Sequence, residues 1–543
     1  MRVAGLGRGS ETGAQRSGIA LATVTAVLFV TFLDTTIVSV TLGNVQSDLH
    51  AGVVSLQWVV NAYTLVFASL MLTAGSLGDR WGRKRVMIAG LAVFAAGSVL
   101  SALAPTVAVL IAGRAVMGLG AAASEPGTLS VIRHVYPDRA QRARALGAWA
   151  AVSGLALAMG PVIGGLLVGA FNWRSIFWFN LAVGVVVLAA ALRYVPESAD
   201  PQPGPVDLLG FLSGSAFLAC VIFAGISGET VGYGAVSVIT LFVIGGVAFL
   251  IFLFAEFRAR NPMFDFHYLK RPMVRSALIV AFAVYFGIFS IFFFTALYLQ
   301  EVVGYSGWRT AAVFAPMAIA IIVGSLFAGF WVALRGSRTP MITGCVLGAG
   351  GILLTRAMLG VSPDFGPLSL SLMLAGLGFG IAVVPLTSAV LSGVPPEHSG
   401  MAAAATNTMR QVGAVVGVAA LGSLVNSFLN ADLGTRLNQL GVPSSFQALV
   451  INAIETGQVP NGGDAAASAT FGPIVNKVIN ATYAAFHRGL DVALLVSAIM
   501  MLAAAVITVV SSRGDRSGYE FEARASGPEQ SGREVGVESQ GRE

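Results

Sequence analysis

Gly75-Ser-Leu-Gly-Asp79-Arg80-Trp-Gly82-Arg83-Lys84-Arg85 is a polar junction between two long apolar runs, 56–77 and 86–104. Its glycines allow a tight connection, and its bases mark the side of a bilayer on which basic loops are retained. Topology alone accounts for the bases. Asp79 argues for more, because an acid among bases weakens a pure topology signal. An anion there pairs with Arg83 or rests against the positive N-terminus of a helix across a bundle interface. The expected terminus is near Ser399 and Gly400, where another apolar run begins. About 254 residues further on, Gly329-Phe-Trp-Val-Ala333-Leu-Arg335-Gly336-Ser-Arg338 repeats the spacing of glycines and bases, with Ala333 in place of Asp79. A second echo pairs Gly118-Leu-Gly120 with Gly376-Leu-Gly378. Two echoes in matching order predict parallel repeats, two similar helical bundles around a central site.

The rest of the chain fits that plan. It has 543 residues, 56% hydrophobic and only 11% charged, with mean hydropathy +0.80, whereas a soluble chain carries about 25% charged residues. Its solvent is mostly lipid. Apolar stretches of spanning length lie at 19–42, 56–77, 86–104, 106–132, 144–170, 175–194, 208–228, 235–257, 274–299, 310–334, 340–359, 367–391, 400–427 and 489–511. That is about 14 spans. Residues 19–194 form one six-helix bundle and 274–511 a second; the linker 195–273 carries two inserted spans. The first run is too long for a signal-peptide core, so 1–18 is a polar tail. Basic residues gather in the even-numbered connections: Arg80 to Arg85, then Arg133 to Arg144, Arg258 to Arg275, and Arg335 with Arg338. Both termini are therefore expected in the cytoplasm, with a long outer loop at 428–488 and a disordered tail at 512–543.

The net charge of +6 sits in short loops and gives no support to nucleic-acid binding. Cys220 and Cys345 lie in apolar segments, so no disulfide framework is expected. There is no Walker A sequence, no H-E-x-x-H and no metal-spaced Cys/His cluster. No cofactor, metal or catalytic residue is expected, and an ion gradient is the remaining common energy source.

Two carboxylates fall well inside spans, Asp34 and Glu125. A charge at helix centre costs about 2.5–3.5 kcal/mol on insertion scales, which makes an intramembrane acid a functional candidate. Asp34 lies ~22 Å from the inner face at 1.5 Å per residue, and Arg114 lies ~12 Å below the outer face of a span ~36 Å long. Those depths match, so the pair is either a structural ion pair or a proton-coupling pair. Glu125, beside Pro126 and ~28 Å into the span of Arg114, reads as a second proton or cation site, or as an interfacial residue. Asn407, Arg410 and Gln411 form a polar patch within about one turn, expected to face a cavity or another helix. Trp58, Tyr63, Trp149 and the Phe-rich stretch 282–294 either line a pocket or face lipid. Gly154-Leu-Ala-Leu-Ala-Met-Gly160-Pro161-Val-Ile-Gly164-Gly165 gives its span a smooth face suited to tight packing.

At these residues the sequence resembles the major facilitator superfamily, in particular its 14-helix drug/proton antiporter branch, over roughly 19–515. Gly75–Arg85 is similar to the superfamily's loop between helices 2 and 3, which implies a conformational switch carried by Gly75, Asp79, Arg80, Gly82, Arg83 and Lys84. Leu110-x3-Arg114-x3-Gly118-x-Gly120 resembles its fourth-helix motif, linked to proton coupling, and Gly154 through Gly165 its antiporter motif. Leu33-Asp34-Thr35-Thr36-Ile37-Val38, Trp173-Arg174-x2-Phe177-x2-Asn180 and Asn407-x2-Arg410-Gln411-x-Gly413 resemble motifs of helices 1, 6 and 13. The sequence departs from the branch at Thr41-Leu42-Gly43, at Met117 and at Glu125, a position commonly uncharged.

The resemblance implies an all-α polytopic protein of two six-helix bundles with two extra central helices. It implies proton-coupled export of hydrophobic, including cationic, drugs by alternating access across the plasma (inner) membrane, with Asp34, Arg114 and Glu125 in proton coupling. The partners implied are a small hydrophobic substrate, protons and the bilayer. The working unit is expected to be a monomer, with room for a periplasmic or envelope accessory protein. Other readings are an exporter of an endogenous lipid or secreted metabolite, a proton symporter, and a membrane enzyme or receptor.

Overall fold

The computed structural model describes residues 6–51, 53–199, 207–259, 266–301, 303–305, 307–360, 363–439 and 465–511. The described elements are helical. They are α1 (Leu6–Ile37), α2 (Leu42–Leu49), α3 (Val53–Trp81), α4 (Arg83–Ala102), α5 (Val107–Val135), α6 (Arg139–Ala170), α7 (Ser175–Tyr194), α8 (Leu208–Val231) and α9 (Val236–Arg258). The series continues with α10 (Pro272–Glu301), α11 (Gly307–Arg335), α12 (Arg338–Met358), α13 (Phe365–Ser392), α14 (Ser399–Gln439) and α15 (Ala465–Ser511). In lipid every backbone N–H and C=O needs an internal partner, so a long apolar run has little choice but a helix. Side chains start several of them: Thr106 accepts from Val109 N at α5, Asp138 from Gln141 N at α6, and Asp207 from Gly210 N at α8.

Twelve of the helices are long and apolar enough to cross a membrane by length and composition. The two other long helices, α6 and α14, are rich in small and polar residues and stand where two further spans were read. Fourteen long helices thus occupy the places of the fourteen apolar runs, compatible with a 14-span chain. The boundaries differ from the sequence reading in three places. Helix α1 begins at Leu6, inside the stretch read as a polar tail. The first run also breaks: Val38–Thr41 tightens to a 3-10 turn before α2, where β-branched residues weaken the helix and the Thr41 hydroxyl donates to Val38 O. Helices α14 and α15 extend to Gln439 and from Ala465, so both ends of the 428–488 segment are helical. Its middle and the tail 512–543 lie outside the described residues.

Helices α1 and α3–α7 pack into one bundle and α10–α15 into a second, and the sequence echoes reappear as matching packing. Gly82 (φ +103°) turns α3 into α4, and Gly336 (φ +75°) turns α11 into α12. Both need the left-handed region that glycine enters without strain. The site of a Gly120 Cβ lies 2.6 Å from Gly90 O, joining α5 to α4; that of Gly378 lies 2.7 Å from Gly344 O, joining α13 to α12. The inserted helix α8 packs on α3 and α14 as well as α9, so it covers one side of the seam between the bundles. Helix α9 turns Phe242, Val243, Val247, Leu250 and Phe257 outward, as a lipid-facing helix does. The bundles meet where α3 and α5 touch α14, and where α6 touches α11 and α13.

Candidate functional site

The first bundle closes on a buried charge. Asp34 of α1 forms an ion pair with Arg114 of α5, both fully buried. Asn180 of α7 donates to the other Asp34 oxygen at 2.6 Å. Arg114 Nε donates to Val59 O at 3.0 Å, and the guanidinium lies 4.6 Å from the centre of the Tyr63 ring. The Tyr63 hydroxyl in turn donates to Thr31 O at 2.8 Å. Four helices therefore hold one carboxylate. Tyr63, read as a cavity aromatic, is fully buried behind the ion pair, because its ring shields the cation and its hydroxyl finds a partner on α1. Asn180 stood in a motif but not among the candidate site residues; beyond that motif, a single amide in the apolar run of α7 was its signal.

At the basic end, Asp79 of α3 accepts from Gly400 N at 2.9 Å and Met401 N at 2.8 Å, the first N–H groups of α14. Arg83 holds the same carboxylate at 2.7 Å and donates to Glu397 O at 3.0 Å. A carboxylate at a helix N-terminus is favourable, so this contact ties the bundles together. Two more first-bundle arginines reach the turn between α13 and α14: Arg133 donates to Val394 O and Arg142 to the Ser392 hydroxyl. Gly75 allows the approach, since a Cβ there would stand 2.6 Å from Gly400 O. Lys84 bonds Leu192 O through its amine, Gly82 stands against Glu197, and Arg80 is partly buried beside them. Ala333, partly buried in α11, has no carboxylate to repeat the bond in the other bundle.

The third feature lies on the seam. Glu125 and Thr128 of α5, Trp149 of α6, Asn407 and Arg410 of α14 are all buried. The Arg410 carbon lies 5.1 Å from the Trp149 ring centre and 5.4 Å from that of Tyr285 on α10. Arg410 donates to the side chains of Asn407 and Thr387. Glu125 is buried within the protein. Gln411 is partly buried, and Trp58 packs against Phe223 of α8 at 5.0 Å. The glycines of α6 divide. Gly154 faces Ile321 of α11 across the seam, Gly160 abuts Thr36 and Ile37 of α1, Gly164 is buried, and Gly165 is exposed with open space at its Cβ position. Pro161 follows Gly160 within the same helix.

At the end opposite the basic loops, Trp173 and Arg174 both donate to Asp48 of α2. These two bonds, the Trp173 one first, hold its carboxyl below the usual carboxylate range.

Two facing helical bundles with charge buried inside one and along their seam make a polytopic membrane transporter. The chain belongs to the Major Facilitator Superfamily, whose family model matches residues 24–418. It is similar to the multidrug resistance protein Stp of Mycobacterium tuberculosis, 33% identical over 428 residues and 79% of each chain. It is 30% identical over 507 residues to the multidrug efflux pump LfrA of Mycolicibacterium smegmatis, covering 92% of this chain and 97% of that one. The crystal structure of the human organic anion transporter MFSD10 (TETRAN) matches with a TM-score of 0.61 over 91% of this chain and 99% of that one. At 13% identity that last likeness is one of fold.

Proposed function

We propose that this chain is a proton-coupled exporter of hydrophobic drugs that works by alternating access, with the basic end and both termini in the cytoplasm. The observation that carries the reading is the carboxylate of Asp34, buried in the first bundle and answered by Arg114 and Asn180. A proton arriving from outside neutralises Asp34 and releases Arg114 from its partner. A buried cation without its counter-ion is costly, so that event drives repacking within the bundle. The repacking loosens the inner latch, where Asp79 and Arg83 grip α14. Cargo then enters from the cytoplasm or inner leaflet, and deprotonation toward the cytoplasm restores the closed latch. The two bundles of one chain supply the whole pathway, so a monomer suffices. Each proton moved down 100 mV supplies about 2.3 kcal/mol, roughly 50-fold accumulation. The names of Stp and LfrA, a resistance protein and an efflux pump, support drugs as the cargo.

The test is drug-induced proton release from oriented proteoliposomes. Wild type releases protons and expels drug, while Asp34→Asn remains folded in the membrane and does neither. Full proton release by the mutant, or net drug uptake together with protons by the wild type, sinks the reading.

A further inference from the structure

The two oxygens of Asp34 have different neighbours. Arg114 Nη1 donates to Oδ2, and Asn180 Nδ2 donates to Oδ1 at 2.6 Å. An ionised carboxylate only accepts, so Asn180 has to present its amide N–H to it. The other half of that amide is unmet: Asn180 Oδ1 has no hydrogen-bond partner among the described residues, although the side chain is fully buried. Buried polar atoms in folded proteins are rarely left this way.

Protonation changes what Asp34 offers, since a carboxylic acid carries one O–H donor. On Oδ2 that proton would face a guanidinium, which stays charged and has donors alone. On Oδ1 it faces Asn180, whose amide holds an acceptor as well as donors. The other helices packed on α1 bring little charge to this level. Helix α3 presents Tyr63, whose hydroxyl is already donated to Thr31 O. Helix α6 meets α1 through Gly160 and carries Arg139, Arg142 and Arg144 near its start. Helix α7 carries Arg193 in its last turn. Glu125 stands ~16 Å further along α5 than Arg114, at 1.5 Å per residue.

Resting on the proton-coupling reading above, we propose that the arriving proton settles on Oδ1 of Asp34 and that the Asn180 amide turns over to accept it. In the ionised state Asn180 Nδ2 donates to Asp34 Oδ1. In the protonated state that same Asp34 oxygen donates to Asn180 Oδ1. The turn is a half rotation about the last side-chain bond, a broad torsion in asparagine, so it needs no movement of the backbone. Asn180 is a positioning residue. It never carries the proton, but it gives each form of the acid a partner. Leucine gives neither form one, and an aspartate would add a second buried charge.

The test is infrared difference spectroscopy between neutral and acidic pH on the full chain in lipid nanodiscs. Asparagine is labelled with a heavy carbon isotope at its side-chain carbonyl. Subtracting the spectrum of Asp34→Asn leaves the bands that follow Asp34. Two are expected: a carboxylic acid C=O band appears, and one labelled amide C=O band moves to lower frequency as it gains a hydrogen bond. In Asn180→Gln the amide survives but no longer carries the label, so the moving band loses its isotope shift. In Asn180→Leu the amide band is lost and the acid band moves to higher frequency, because its O–H has no acceptor. The glutamine variant carries the test if the leucine variant does not fold. An acid band with no shift of a labelled amide, or a labelled shift that persists in Asn180→Gln, overturns the role of Asn180 and leaves proton coupling at Asp34 standing. The absence of any acid band that depends on Asp34 overturns both.

Discussion

Asp34 is a fully buried carboxylate, and two side chains, Arg114 and Asn180, bond it in place of water. Its partners are not equivalent. Removing Arg114 leaves an uncompensated buried charge, a loss of about 3–5 kcal/mol. Removing Asn180 deletes one hydrogen bond to a charged group, a loss of about 1.5–3 kcal/mol. Arg114→Leu is therefore expected to destabilise the purified protein more than Asn180→Leu. The double change Asp34→Asn with Arg114→Leu is expected to recover part of the loss, as read by thermal unfolding in nanodiscs. A double mutant no more stable than Arg114→Leu contradicts the pair's electrostatic origin. Asp34 and Arg114 were legible in the sequence because charges are scarce in lipid and depth follows from residue count. Asn180 was less so, since an uncharged amide gives no pairing rule. Glu125 was left open between two readings, because depth along a helix does not say which way the side chain points; its side chain is buried.

At the scale of elements, the latch is a helix end held by an acid. Asp79 meets two N–H groups of α14 as well as Arg83, and charge-assisted bonds of this kind contribute about 1.5–3 kcal/mol each. Asp79→Asn is expected to shift the balance toward the conformation open at the basic end by roughly ten- to a hundredfold. Gly75→Val is expected to act in the same direction by sterics, since its Cβ would press on Gly400 O at 2.6 Å. The measurement is labelling of a cysteine placed at Ser399 by a membrane-impermeant reagent from the inner side. Labelling no faster than in the parent protein is the contrary result. The sequence pointed to this helix terminus because an acid among bases needed a reason. It gave no hint of Arg133 and Arg142 reaching the same turn, where their role is lost among the topology bases.

At the scale of the molecule, the repeat is intact in packing and broken in charge. Gly82 and Gly336 turn equivalent corners, yet Ala333 leaves the second bundle without the latch acid. Its ion pair Arg356–Asp491, at 2.6 Å, is a third exposed. Fully buried ion pairing is thus found in the first bundle, while the second contributes Arg410 and Asn407 to the seam. The inserted helix α8 is fastened to the first bundle by Thr73–Ser215 at 3.1 Å and Trp58–Phe223. Its contact with α14 is apolar, with Leu218 and Ile222 in one cluster with Val412 and Val415 of that helix. A disulfide between cysteines replacing Thr73 and Ser215 is expected to leave efflux within about twofold of the reduced protein, while one linking α8 to α14 near Val415 stops it, because tightly packed units rock as rigid bodies. Efflux that survives the second link and fails with the first would reverse the assignment.

The sequence by itself determined the helical class, and it laid out an order of long apolar segments and an internal echo with which the helices are compatible. It could do so because a bilayer imposes a one-dimensional rule: about 20 apolar residues per crossing, with bases retained on one side. Only the tertiary structure decided which residues meet. These helices are apolar nearly all round, so periodicity does not mark the face that turns inward. The decisive contacts also join residues far apart in the chain, Asp34 with Asn180 and Asp79 with Gly400. Packing of one bundle against the other is what put Glu125, Trp149 and Arg410 on the same seam.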